Sequence, residues 1–479
     1  MKRFQLPHSL KTALSVATIG SAGLLASGCG TTAATTTSQT YDLRVWKYGV
    51  SVDPFRDTFT TFKKQYPDSN IAFQNTFSST GYESAALASL ASKTGPEIWS
   101  YPDGWVGDEE DRVVHLPDNF LGDPKQNGGK SLAEAVKATY PANIAAQIIN
   151  TNNQIVGVAS NVDSLRLYVN NEVLSAAASD YRRYLGDNYD DDQYQLVRKQ
   201  ITSPPSTWDG LLKQIPYIVQ KNGGVLSRSA IALGTSDNIP DADAILQLLM
   251  YQNGAQILNS DRTRSAFSSQ QTTPSGGIVR PGEKALTFFT SFSNPSSSAY
   301  TWNPSLPQAA DAFAQGKVAM VIDYADFGAL VKSKYPTFSF DTAPVPQITG
   351  ATTPVNLSRF NVDSVTKNAS SIVRSEQLLS AISSATVTTD AANSSGLRSP
   401  YLSVLRNNTD DFLSQAALTT QTVYKRHHQD FDVAFLQMIR DVSQNGATAS
   451  GAIDQASSKI NALLLPVNRS PAAVFNSVK

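Results

Sequence analysis

Cysteine occurs once in the 479 residues and histidine four times. A single Cys excludes an intrachain disulfide, a Cys-based zinc site and an iron–sulfur cluster. The adjacent pair His427-His428 cannot share a helix face, since neighbouring side chains point about 100° apart. So few His also leave no credible Ser-His-Asp triad. Charged residues make up only 16% of the chain, against about 25% in typical soluble domains. The 39 basic residues nearly balance the 40 acidic ones, so there is no basic footprint for nucleic acid. Past the N-terminus no apolar run reaches the ~18 residues of a membrane span. A P-loop, a G-x-S-x-G elbow and an H-E-x-x-H motif are also missing. No cofactor and no metal is expected. The acidic knot Asp187, Asp190, Asp191 and Asp192 lacks the spacing and Gly of an EF-hand loop and reads as a solvated surface. What is present is 41% hydrophobic residues, enough to build a core.

The one Cys has a telling position. Lys2, Arg3 and Lys11 precede a short apolar stretch, Thr12 to Ser27, and the small residues Ala26-Ser27-Gly28 lead directly into Cys29. This is a secretion signal, and it resembles the lipobox of bacterial lipoproteins. The resemblance implies that Cys29 becomes the first mature residue and carries a lipid, anchoring the protein to the cell membrane outside the cytoplasm. Loss of residues 1–28 leaves 36 basic and 40 acidic residues, a net charge of −4. Residues 29–40 are a polar, low-complexity tether.

The body alternates short strands with helices. DLRVWKY (42–48) is a strand, and Asp53-Pro54 opens a helix with Phe55, Phe59, Phe62 and Tyr66 on one stripe. Ile71 to Phe77 and EIWSY (97–101) are further strands around a helix from about Tyr82 to Ser92. IVGVAS (155–160), LRLYVN (165–170), AIALG (230–234) and VAMVID (318–323) continue the strand pattern. Residues 179–205, charged and Pro-containing, read as a surface insertion, and helices dominate after Ser375. The alternation predicts an α/β protein with parallel sheets, and the length predicts two lobes.

Several segments in order resemble the extracellular solute-binding proteins of ABC transporters, in the sugar-binding, maltose-binding-protein-like branch. They are LASKTGPEIWSY, NNQIVGVASNVDSLRLYVNNEVL, PPSTWDGLLKQI, DAFAQGKVAMVIDYADF and the C-terminal run from Phe431 to Leu464. The resemblance implies a two-lobed, periplasmic-binding-protein-like (type II) α/β fold with a hinge. The first lobe is expected from 41–153 plus 361–396 and the second from 154–360 plus 397–479. It implies no enzymatic activity, a monomer, a small-molecule ligand such as a sugar, and an ABC permease as partner. A secreted polysaccharide hydrolase, which needs only two carboxylates in an aromatic cleft, and a ligand-sensing surface receptor are the rival readings.

A sugar site needs rings over the apolar pyranose faces and carboxylates or amides on the hydroxyls. In EIWSYPDGWVGDEED, Tyr101 and Trp105 lie past the strand end, where ligands bind in open α/β sheets. Asp103 lies between them, and Trp99 within the strand reads as core. Asp163, at the lobe crossing, is either a hydroxyl acceptor or a hairpin residue. Trp302, in a loop without periodic neighbours, is expected in the cleft, as are Tyr324 and Asp326 after VAMVID. Arg359 and Arg398 sit where the chain re-crosses; Arg398 is taken as a ligand contact, and an inter-lobe salt bridge is favoured for Arg359.

Overall fold

The computed structural model describes residues 40–76, 81–123, 125, 128–273 and 275–464. The signal-like segment, Cys29 and the tether up to residue 39 lie outside these. Two separate apolar cores form, each around one five-stranded sheet.

The first sheet runs in the order Ser69–Thr76, Tyr41–Tyr48, Ile98–Pro102, Asn361–Val365, Val158–Ala159. Its first three strands are parallel, as the strand–helix alternation predicts. The fourth breaks the expected pattern. Asn361–Val365 lies antiparallel to Ile98–Pro102 and to Val158–Ala159, which therefore runs in the same direction as the first three. It enters this sheet from the other half of the molecule rather than through a local crossover helix, so nothing forces a parallel run. The helix Arg56–Gln65 covers the sheet with its aromatic stripe: Phe55 and Phe62 are buried, and Phe55 lies 5.8 Å from Phe73. Asp53 does not cap this helix; its carboxylate accepts from Arg56 instead. Inside the core, Lys47 is paired with Asp363, both almost wholly buried.

The second sheet runs Asp341–Ala343, Arg166–Val169, Val318–Asp323, Val225–Ile231, Gln220–Asn222. Val318–Asp323 is its centre, buried at every position, parallel to Val225–Ile231 and antiparallel to Arg166–Val169. Residues 179–205 are not an irregular insertion. They complete the helix Asn171–Leu185 and form the helix Asp191–Thr202, with the Asn170 and Asp190 side chains accepting from first-turn N–H groups. Tyr189 O–H donates to Asp191, which with the Asp190 cap accounts for half of the acidic knot.

Between the two sheets lies a small three-stranded ladder, Thr420–Gln421, Asn356–Arg359 and Asp163–Ser164. Each member leads from one core to the other, so the chain crosses three times. The first core gathers buried side chains from Leu43 to Val162 and again from Phe360 to Ala417. It therefore takes in Val156 to Val162 and Tyr401 to Ala417, segments the sequence reading assigned to the second lobe. The second core runs from Leu165 to Leu357 and from Val423 to Leu464. No helix among the described residues is long and apolar enough to cross a membrane.

Candidate functional site

A cavity of about 710 Å³ lies between the two cores. Tyr48 and Pro102 reach it from the ends of first-sheet strands, and Asp323 from the end of the central second-sheet strand. The cavity is therefore bounded by strand C-termini from both sides, the place where side chains converge in α/β folds. Asn161, Asp163, Arg359 and Asn361 form its crossing side, and Asp241, Asp326 and Leu330 complete the second wall.

Arg359 organises the charges. Its guanidinium donates to Asp326 at 2.7 Å and to Asp163 at 3.3 Å, and lies 4.1 Å from the centre of the Tyr324 ring. Burial works against its charge, but the Asp326 and Asp163 carboxylates more than offset that and hold it protonated. Asp163 also accepts from Arg166 at 2.6 Å and from the Ala325 N–H at 3.0 Å, so both its oxygens are engaged.

Asp323 is different. It is 1% exposed; one oxygen accepts from the Tyr324 N–H at 2.7 Å, and the other has no hydrogen-bonding partner in the protein. Burial, then the neighbouring Asp241 carboxylate, pushes it well above the ordinary carboxylate range. The side-chain N–H₂ of Asn161, also buried, lacks a partner too. Just behind Pro102, burial pushes Asp103 up to about 7, although it accepts from the Phe360 N–H at 3.2 Å.

The structure brings Asp163 and Asp326 to the cavity wall, with Tyr324 buried directly behind Arg359 and Asp103 behind Pro102. It does not bring Tyr101, Trp105, Trp302 or Arg398 there. Tyr101 is wholly buried, shares a hydrogen bond with Ser364 at 2.9 Å and packs on Trp99, because the strand alternation that exposes Pro102 turns its neighbour inward. Trp105 is buried against the His428 ring, 5.3 Å between centres. Trp302 is wholly buried in the second core, its indole N–H donating to Asn238 at 2.9 Å; its loop folds over the helix end at Phe292 rather than into the cavity. Arg398 is paired with Asp411, and it is Leu397 that lines the cavity. Cys29 lies outside the described residues.

Sequence reasoning missed Asp241, Asp323, Tyr48, Asn161 and Asn361. The signal for Asp323 was legible, since an Asp closing the apolar run VAMVI sits at a strand C-terminus. Among the described residues, one group of acids, Asp241, Asp323 and Asp326, brings three carboxylate oxygens close enough for a metal ion. His428 is held instead by Asp108 and Glu83.

The family model described as bacterial extracellular solute-binding protein matches residues 57–420. No curated protein matches. Among solved structures, the chain is similar to the cyclic alpha-maltosyl-1,6-maltose binding protein of Arthrobacter globiformis (18% identity, TM-score 0.65, 89% of this chain and 99% of that one). It is also similar to the sugar-binding protein MalE of Xanthomonas citri (16%, 0.63, 88% and 97%). A third likeness is to an ABC transporter solute-binding protein of Thermotoga lettingae bound with alpha-D-tagatose (18%, 0.59, 89% and 100%). These likenesses establish the fold, two α/β lobes.

Proposed function

Because the chain belongs to the bacterial extracellular solute-binding protein family, we propose that it captures a carbohydrate between its lobes and delivers it to an ABC permease. The observation that carries this reading is the cavity itself: about 710 Å³ between two cores, within the usual span for a small-molecule site. Its wall is largely apolar, and some of the polar groups set in it are unsatisfied. The Asn161 amide offers an unpaired donor, and Asn361, Asp241 and Asp323 add amide and carboxylate groups. Hydroxyls suit such a wall because each both donates and accepts. Leaving those groups unpaired on closure costs about 1–3 kcal/mol apiece, which is the source of discrimination. Tyr48 and the partly exposed Leu330 supply apolar surface for a pyranose face. No bond is made or broken, since the family's role is capture. The proposal includes a lipid on Cys29 tethering a monomer to the outer side of the cell membrane; it rests on the sequence of residues 1–29.

A thermal-shift panel of mono- and oligosaccharides, polyols, amino acids and peptides tests it. A sugar is expected to raise Tm, because a ligand of the folded state alone stabilises by mass action. Asn161→Ala should weaken that sugar about tenfold, the equivalent of one lost hydrogen bond of ~1.4 kcal/mol. A shift by amino acids or peptides alone would overturn the reading.

A further inference from the structure

We propose that Asp241, Asp323 and Asp326 hold a divalent metal ion of the oxygen-seeking, calcium-like class on the second wall of the cavity. One carboxylate oxygen from each of the three lies within 4.8 Å of the other two. Oxygens bound to one calcium, each about 2.3–2.6 Å from the ion, lie at most about 5 Å apart. The spacing is therefore compatible with all three oxygens surrounding one ion.

Charge points the same way. Four acids stand on the cavity wall: Asp163, Asp241, Asp323 and Asp326. Two guanidinium groups answer them. Arg166 and Arg359 take Asp163, and Arg359 takes one oxygen of Asp326. Asp241 and Asp323 make no ion pair with either guanidinium, so the wall carries a surplus of carboxylates that a divalent ion would match. The second, independent observation is Asp323 itself. It is 1% exposed, and its second oxygen has no partner in the protein while facing Asp241 across the wall. A buried carboxylate turned toward another carboxylate needs either a proton or a metal between them. Sugar hydroxyls satisfy hydrogen bonds there but leave the charge in place. Three carboxylates also leave at least three of the six to eight calcium positions open, so water or a pair of solute hydroxyls can complete the shell.

The site stands whichever solute the cavity takes, so its test uses the metal alone. Calcium chloride and magnesium chloride are titrated separately into the chelator-treated protein by calorimetry, with no sugar present. Calcium is expected to saturate one site, with Kd in the range of extracellular calcium modules, roughly 0.1–1 mM. Asp323→Asn should weaken it about tenfold or more. Asp241→Asn, at a half-buried position, should do the same and keeps the test open if the Asp323 variant does not fold. Absence of saturable calcium or magnesium binding would overturn the proposal, as would Asp241→Asn binding calcium like the unaltered protein. The acid pair would then share a proton.

Discussion

Arg359 and Trp302 are each fixed by neighbours that lie far away in the chain. Arg359 draws together Asp163 and Asp326 from two different elements and rests on the Tyr324 ring, which makes it the electrostatic keystone of the cavity. A guanidinium suits the post because its planar fork serves two carboxylates at once. Trp302, by contrast, belongs to the core: it is wholly buried, and its indole N–H meets Asn238. Trp302→Ala should therefore cost about 3–5 kcal/mol of stability, read from denaturant unfolding, while the folded fraction keeps its solute affinity. An affinity loss with stability intact would return Trp302 to the site. These two residues also explain why site residues were only partly legible in the sequence. Composition and loop context say that a Trp is valuable but not which way its loop folds. Strand alternation decides between Tyr101 and Pro102 by a single residue, and neither periodicity nor spacing fixes that phase at a strand end.

At the scale of elements, helix and strand identity followed from the hydrophobic pattern, a continuous short apolar run in VAMVID and a helical stripe in Phe55–Phe62. The antiparallel strands did not, because their direction is set by the crossing chain and not by local pattern. One contact between elements joins the halves away from the cavity. The helix His428–Ser443 belongs to the second core, yet its N-terminus grips Asp108 of the first half. The N–H groups of His427 and His428 both donate to Asp108, and the His428 ring lies 2.9 Å from the same carboxylate. His427 sits at φ +48, a left-handed geometry unusual for a side-chain-bearing residue, and the two bonds to Asp108 offset its strain. Burial alone would lower the His428 pKa, but the hydrogen bond to Asp108 and the charges of Glu83, Asp108 and Asp432 outweigh it and raise it. Burial likewise works to raise Asp108, and the three bonds from His428 and His427 bring it below its ordinary value.

The two shifts define a pH window. A raised His contributes fully below its unfolded pKa near 6.5 and loses the contribution as pH climbs through the folded value. A depressed Asp contributes above its unfolded pKa near 3.8 and loses it as pH falls through the folded value. The clasp is therefore fullest between about pH 4 and 6.5. His428→Gln should lower Tm most near pH 5.5 and progressively less as pH rises above 6.5. A Tm difference flat across that range would show that His428 acts by packing on Trp105 and not by charge.

For the whole molecule, the two-lobed α/β fold was legible because several weak sequence signals occurred in a consistent order. The limits of each core were not, since they depend on which side of a short ladder each buried residue packs. That ladder, with three strands of two to four residues, is the only sheet connecting the halves among the described residues. Short extended crossings absorb small φ/ψ changes at their ends, the usual basis of hinge closure around a ligand. The radius of gyration measured by small-angle scattering should fall when the sugar that raises Tm is added. An identical scattering profile with and without that sugar would mean that the halves do not move.

The stitched arrangement of the two cores has a consequence during synthesis. The first half is incomplete until Ala417 has emerged, because Phe360 to Ala417 supply part of its interior. The second waits for Leu464. A chain built this way cannot settle its N-terminal half while the ribosome is still working on the remainder, in contrast to the usual domain-by-domain order. Neither core can be completed before the chain has reached its last crossing.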